Sequence, residues 1–245
     1  MKIVFLGTAG YHPNEHRQTT CMMIPSAGIV FDAGTSLFRL PQHIETDQLD
    51  VFLSHAHLDH VIGLTYLLDV LYQRPLDEVR VHGDATKLKA IREHVFSSEL
   101  FPVEPPYVER PLKDPVTVGD ARITWKPLTH PGGSLGYRVD WPEKSLAFIT
   151  DTTADPQADY VEFVRGVDVL VHECNFPDGL EDLAEKTGHS CLTPVVQLAK
   201  RAEVGGLVLH HFNPLTVGIE LDALTQAEKL FSPIVLAEDG MEIEL

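Results

Sequence analysis

A chain of 245 residues, 44% of them hydrophobic and with a mean hydropathy of −0.03, can bury one large α/β core and contains no apolar run long enough to span a bilayer. Its 19 basic and 36 acidic side chains give a net charge of −17, a field that repels polyanions, and no extended basic stripe offers a grip on nucleic acid. Three widely spaced cysteines, Cys21, Cys174 and Cys191, argue against a disulfide framework and for a reducing compartment, by default the cytoplasm.

In chain order, residues 2–6 read as a strand running into a glycine turn, without the longer apolar region and cleavage site of a signal peptide. Strands at 20–24 and 29–31 form a hairpin through Pro25-Ser26-Ala27-Gly28. Asp32 closes the third strand, at a position that suits a turn aspartate. Residues 36–43 form a short helix interrupted at Pro41. The buried strand 49–53 delivers Ser54-His55-Ala56-His57-Leu58-Asp59-His60 onto the loop at its C-terminal end, and loops on a rigid strand are where sites are built. Residues 61–71 are helical in pattern, with their N-terminus aimed at the site. A strand at 79–82 follows, then a helix capped by Asp84 and running through Val95. The proline-rich segment 101–106 is the candidate boundary between two halves. Strands at 116–118 and 121–125 flank the hairpin signal Gly119-Asp120, and further strands lie at 135–139, 146–149 and 169–173. A helix over 194–202 precedes the strand that carries His210 and His211.

Three imidazoles and a carboxylate within residues 55–60 point to a metal. Nitrogen and oxygen donors without thiolate suit Zn²⁺ and leave Mn²⁺ or Fe²⁺ open. His55 and His57, two apart, can converge on one ion, while Asp59 and His60 follow a turn and can face a second. Histidines on a polar surface turn, or a single structural zinc, are the simpler alternatives. Downstream, His130 sits where a strand end turns through glycines, Asp151 closes an apolar strand, and His211 lies in Leu209-His210-His211-Phe212. Alternation along a strand puts the rings of His210 and His211 on opposite faces, so only one should serve.

The His-x-His-x-Asp-His pattern, with His130, Asp151 and His211 following in order, resembles the metallo-β-lactamase superfamily. The resemblance implies an α/β (α+β) fold, a four-layer αβ/βα sandwich built as a single domain over residues 1–245. It also implies two Zn²⁺ per chain: His55, His57 and His130 on one ion, Asp59, His60 and His211 on the other, Asp151 bridging, and Asp32 bracing the histidine loop from behind. His211 is preferred to His210 because the family places its ligand directly before Phe.

Two shorter stretches, Val169-Leu170-Val171-His172-Glu173 and Lys186-Thr187-Gly188-His189-Ser190, look like the His-Glu-Ala-Thr and Gly-His-Ser-Thr motifs of ribonuclease Z. By that resemblance His189 faces the scissile phosphate and Glu173 orients it, and an imidazole held by a carboxylate keeps a proton ready for a leaving oxygen. Asp59 is placed to orient the attacking water or accept its proton. The family's Pro-x-Lys-x-Arg-Asn stretch, which helps to hold RNA, reads Pro13-Asn14-Glu15-His16-Arg17-Gln18 here. It keeps Arg17 as a substrate-binding residue but reverses one charge. Only 151 − 130 = 21 positions separate His130 from Asp151, where ribonuclease Z usually inserts a tRNA-gripping arm.

These features imply a metal-dependent phosphodiesterase acting on RNA or on a small or cyclic phosphodiester, with no membrane partner, assembled as a homodimer like ribonuclease Z relatives. The short phosphodiesterase of the carbon-phosphorus lyase pathway is a precedent of similar length. The rival readings are a lactone or thioester hydrolase using the same ligands, and a non-catalytic binding subunit, whose usual mark is loss of ligands; none is lost here.

Overall fold

The computed structural model describes residues 1–215 and 219–245. The chain forms two compact units, residues 1–119 with 238–244, and residues 120–237 with Leu245. The first carries β1 (Lys2–Gly7), β2 (Cys21–Ile24), β3 (Ile29–Phe31), β4 (Gln48–Phe52), α1 (Leu58–Val61), α2 (Leu67–Gln73), β5 (Glu78–Gly83), α3 (Ala85–Ala90), β6 (Val108–Pro111) and β7 (Val116–Val118). The second carries β8 (Ala121–Leu128), β9 (Ser134–Asp140), β10 (Ser145–Ile149), α4 (Tyr160–Phe163), β11 (Val169–Glu173), α5 (Glu181–Thr187), α6 (Leu192–Arg201), β12 (Gly206–His210), α7 (Leu221–Leu230) and β13 (Ile234–Leu236). The chain then returns to the first unit as β14 (Glu242–Glu244).

In the first unit the strand order is β14-β1-β2-β3-β4-β5-β6. The antiparallel opening expected at 20–31 is present: β1 pairs with β2 and β2 with β3 antiparallel, after which β3, β4, β5 and β6 run parallel. Val4, Leu6, Val30, Val51 and Val81 enter a core with Leu37, Leu64, Leu67 and Leu88 from the helical segments. The alternate residues Ile3, Phe5, Phe31 and Phe52 are buried as well, so both faces of the sheet are covered, as parallel strands require. Because β3, β4 and β5 are parallel, Asp32 and the histidine loop leave the sheet from the same end, where α/β sheets build their sites.

Three local expectations change. The helix expected over 61–71 starts earlier, at Leu58, and breaks into α1, a 3₁₀ segment Ile62–Tyr66 and α2. Gly63 is the cause: its N–H donates to Ala33 O at 2.8 Å, so close that a Cβ there would lie 2.2 Å from Gly34 O. This docking takes precedence over a continuous helix and puts Asp59 and His60 in the first helical turn. Asp84 caps α3 as expected, its carboxylate accepting from Thr86 N and Lys87 N, but the helix widens into a π turn at Ile91–Val95. The proline-rich 101–106 segment is not the boundary. β6, which follows it, pairs with β5 in the same sheet, and the first unit continues to Gly119.

In the second unit the order is β13-β12-β11-β10-β9-β8, antiparallel from β8 to β10 and parallel from β10 to β13. Helix α6 starts two residues before its expected position and presents Leu192, Val195, Val196 and Ala199 to Leu170, Leu207 and Leu209 of the sheet. The parallel trio β10, β11 and β12 delivers Asp151, Glu173 and His211 from adjacent C-terminal ends. Each unit is thus a mixed sheet with helices packed on it. Among the described residues no helix is long and apolar enough to cross a membrane, and all three cysteines are free and buried.

Candidate metal centre and active site

In the first unit the histidine loop is held by one buried carboxylate. Asp32 Oδ1 accepts from Ser54 N at 2.7 Å, and its Oδ2 accepts from Ser54 Oγ at 2.9 Å and from His60 Nδ1 at 2.8 Å. With Nδ1 occupied, His60 turns Nε2 toward Asp59 Oδ2, 3.3 Å away. Ser54 Oγ also lies 2.9 Å from His55 Nδ1, so the other nitrogen of that ring is the one available for a ligand. The rings of His55 and His57 have centroids 4.3 Å apart, and those of His55 and His60 are 4.2 Å apart. Asp32, His55, His57, Asp59 and His60 are therefore brought together, with His57 the exposed member. Arg17 has partners of its own in the same unit: its Nη1 donates to Thr8 Oγ1, and Thr8 in turn donates to Asp239.

In the second unit Asp151 is the centre. Its Oδ1 is 3.1 Å from His211 Nε2 and its Oδ2 is 3.5 Å from His130 Nε2, so one carboxylate presents an oxygen to each imidazole. His130 donates from Nδ1 to Gly188 O at 2.9 Å, so Nε2 is the nitrogen that could hold a metal. That contact needs glycine at position 188, where φ is +76° and a Cβ would sit 2.8 Å from His130 Nδ1 and 2.4 Å from Pro131 Cδ. Burial pushes the His130 imidazole below its usual pKa, which keeps it neutral and suited to binding a cation.

Glu173 is fully buried and accepts four N–H groups. Thr152 N (2.9 Å) and His189 Nδ1 (3.0 Å) reach Oε1, while Ser190 N (3.1 Å) and Asn175 N (3.3 Å) reach Oε2. The two short motifs thus meet as a carboxylate–imidazole pair. The His189 ring stacks at 5.3 Å on that of His211, and Asp151, His189 and His211 each offer a ligand atom, all within 4.8 Å of one another. A cavity of about 840 Å³ opens beside this pair, lined by His130, His189, Ala154, Ser190 and Asp155 among others.

The donors fit divalent metal. In each unit, imidazole rings crowd against carboxylate oxygens, and partners behind the rings of His60, His55 and His130 fix which nitrogen is presented. Asp32, Asp151 and His211 also share positive φ values of 58°, 51° and 55°, each just beyond the end of a strand. Non-glycine residues in that region are strained and collect at functional sites. His211 is the histidine that meets Asp151; His210 instead packs on Phe148 with ring centroids 5.0 Å apart. The left-handed backbone at position 211, beyond the last residue of β12, directs the two rings apart, in place of simple strand alternation.

Sequence reasoning missed the small polar residues that hold these groups. Ser54 braces His55 and Asp32; Thr150 Oγ1 donates to Asp151 Oδ1 at 2.7 Å; Asn175 Nδ2 donates to His211 O at 3.1 Å. Their signal was adjacency, since Ser54 and Thr150 directly precede candidate ligands and Asn175 follows Glu173 by two.

A family model described as a beta-lactamase superfamily domain matches residues 28–212, a span containing every candidate ligand together with Asp32, Glu173 and His189. Ribonuclease Z of Archaeoglobus fulgidus is 25% identical over 303 aligned positions that cover all of this chain and 97% of that protein. The metallo-beta-lactamase fold protein YhfI from Bacillus subtilis superposes with a TM-score of 0.83 at 22% identity, covering 99% of both chains. The short form of human tRNase Z gives a TM-score of 0.77 at 21% identity, covering 100% of this chain and 99% of that one. The last two likenesses show a shared fold, the metallo-β-lactamase sandwich. The chain belongs to the β-lactamase superfamily and is a metal-dependent hydrolase resembling ribonuclease Z.

Proposed function

We propose that the protein is a binuclear zinc phosphodiesterase that acts on small or cyclic phosphodiesters in preference to tRNA precursors. The observation that carries this reading is the pairing of His189 with the buried, four-donor carboxylate of Glu173. A superfamily ligand set alone would serve a lactone or thioester hydrolase equally well. In this reading residues 1–245 are a single catalytic domain in which His55, His57 and His130 would hold one ion, Asp59, His60 and His211 would hold the other, and Asp151 would serve both. Two bound Zn²⁺ ions would supply charge against the phosphate oxygens and lower the pKa of a water.

The residues of the chain do the rest. Glu173 fixes Nδ1 of His189 as a donor, so a proton held at Nε2 is the one free to pass to the leaving alkoxide oxygen. Asp59, whose Oδ2 accepts from Tyr11 N at 2.7 Å, orients the attacking water and takes its proton.

The preference for small substrates rests on what the chain lacks. The alignment with the Archaeoglobus fulgidus protein spans 303 positions and this chain has 245 residues, so at least 303 − 245 = 58 positions have no counterpart here. That deficit agrees with the short interval between His130 and Asp151. Glu15 and the net charge of −17 act against a polyanion, and the binding energy that an arm would draw from a distant part of a tRNA is missing. The protein is expected to work as a cytoplasmic homodimer, with Arg17 steadying the substrate-side loop.

The test is a parallel assay, with Zn²⁺ or Mn²⁺, of bis-p-nitrophenyl phosphate, a 2′,3′-cyclic nucleotide, a tRNA precursor and an acyl lactone. The diesters should be turned over with the highest kcat/KM. Efficient cleavage of the lactone alone, or of the tRNA precursor above the small diesters, would overturn the proposal.

A further inference from the structure

We infer that Tyr11 is a binding residue that stacks on a planar, heteroaromatic group of the substrate, so that the preferred diesters are nucleosidic; this rests on the phosphodiesterase reading above.

Residues 8–18 form a closed loop whose base is fastened on several sides. Thr8 N and Ala9 N both donate to Gln18 O, while Thr8 Oγ1, Gln18 N and Arg39 Nη1 all donate to Asp239. Inside it, Asn14 Oδ1 accepts from His16 N and Arg17 N. At the tip, His12 N donates back to Gly10 O at 2.8 Å, a γ-turn with Tyr11 at its centre and φ +62°. That turn is rare and strained, and for a bulky residue the left-handed region is a true outlier.

The strained position is fixed by the site itself: Tyr11 N donates to Asp59 Oδ2 at 2.7 Å. Tyr11 is nonetheless 78% exposed, and its ring meets the His12 ring edge-on with centroids 5.2 Å apart. A stabilising role for the side chain would bury it. Here an aromatic face is held in the open within one side chain's length of Asp59, at a position where Gly or Asn would be the unstrained choice. An exposed aromatic ring on a preorganised loop is what base stacking uses, and such stacking is worth roughly 5- to 150-fold in affinity per base.

The experiment compares adenosine 2′,3′-cyclic phosphate with glycerol 1,2-cyclic phosphate, which has the cyclic diester without a base. The wild type should prefer the nucleotide. Tyr11→Asn, which tolerates positive φ, should lower the nucleotide-to-glycerol ratio of kcat/KM at least fivefold, chiefly through KM, and Tyr11→Phe should restore it. A wild type with no preference, or a ratio unmoved in Tyr11→Asn, would overturn the inference while leaving the phosphodiesterase reading intact. If neither diester is hydrolysed, that reading has failed, and calorimetric binding of adenosine 2′-monophosphate judges Tyr11 alone. Weaker binding to Tyr11→Asn than to the wild type and Tyr11→Phe supports the inference; equal or absent binding refutes it.

Discussion

Glu173→Gln should be among the most damaging single-atom changes in the second unit. Each carboxylate oxygen accepts two N–H groups, Thr152 N and His189 Nδ1 on one side, Ser190 N and Asn175 N on the other. With its NH₂ on the Oε2 side the amide faces Ser190 N and Asn175 N and loses both bonds; on the Oε1 side it loses the bond from Thr152 N, and His189 can accept from it at Nδ1 only by moving its own proton to Nε2. At about 1–3 kcal/mol for each unsatisfied buried group, the second, less costly arrangement still loses roughly 1–3 kcal/mol. His189→Ala removes one donor, whose side chain is 16% exposed, and leaves Glu173 three of its four bonds; about 1 kcal/mol is expected. The assay is urea unfolding of both variants and the wild type in chelator, so that metal affinity does not enter, read as the midpoint at constant slope. A Glu173→Gln loss below that of His189→Ala would refute the view that this carboxylate organises the site.

As purified, the protein should carry close to two transition-metal ions per chain by elemental analysis and lose hydrolysis on chelation; one ion, with activity intact after Asp151→Ala, would show that a second site is not used. The three thiols should be inert to a disulfide reagent at neutral pH until the protein unfolds, since all are buried and burial pushes Cys191 up to about 11 and Cys21 and Cys174 above the ordinary thiol range. His172 is fully buried, donating from Nδ1 to Glu173 O (2.7 Å) and accepting at Nε2 from Tyr160 Oη (3.0 Å), and burial pushes its imidazole below the usual 6.5. The unfolded chain therefore binds the proton more readily: the stability from neutral His172 is present above pH 6.5 and is lost as pH falls below it. Urea midpoints should drop from pH 7.5 to 5, and His172→Asn should flatten that slope by up to about 1.4 kcal/mol per pH unit.

Much of the candidate site was legible because its candidate ligands lie at strand ends, where an apolar run followed by His or Asp is visible without any structure. His55, His57, Asp59 and His60 follow β4, Asp151 follows β10, and Glu173 ends β11. The cap at Asp84 was equally local. What escaped the sequence depends on contacts between distant residues. The break in the helix at Gly63 exists because Ala33 and Gly34 pack against it, and the boundary passed beyond 101–106 because β6 finds an edge beside β5. The return of β14 to β1, with Lys2 opposite Glu244 across 242 positions, has no local signature at all. The choice between His210 and His211 turned on a left-handed backbone that side-chain periodicity does not encode.

The most direct test of the account is His189→Ala, read as metal content and as rate with two leaving groups. The same geometry that lets Glu173 hold this imidazole also sets it within ligand reach of Asp151 and His211, so the two roles give opposite results. As a general acid, its loss should leave metal content at the wild-type value and cut the rate about 10²- to 10⁴-fold for a 2′,3′-cyclic nucleotide, whose alkoxide needs the proton. The defect should be much smaller for bis-p-nitrophenyl phosphate, whose leaving group is stable as an anion, and Glu173→Gln should follow the same pattern more weakly. Loss of metal, or equal losses for the two substrates, would contradict the account.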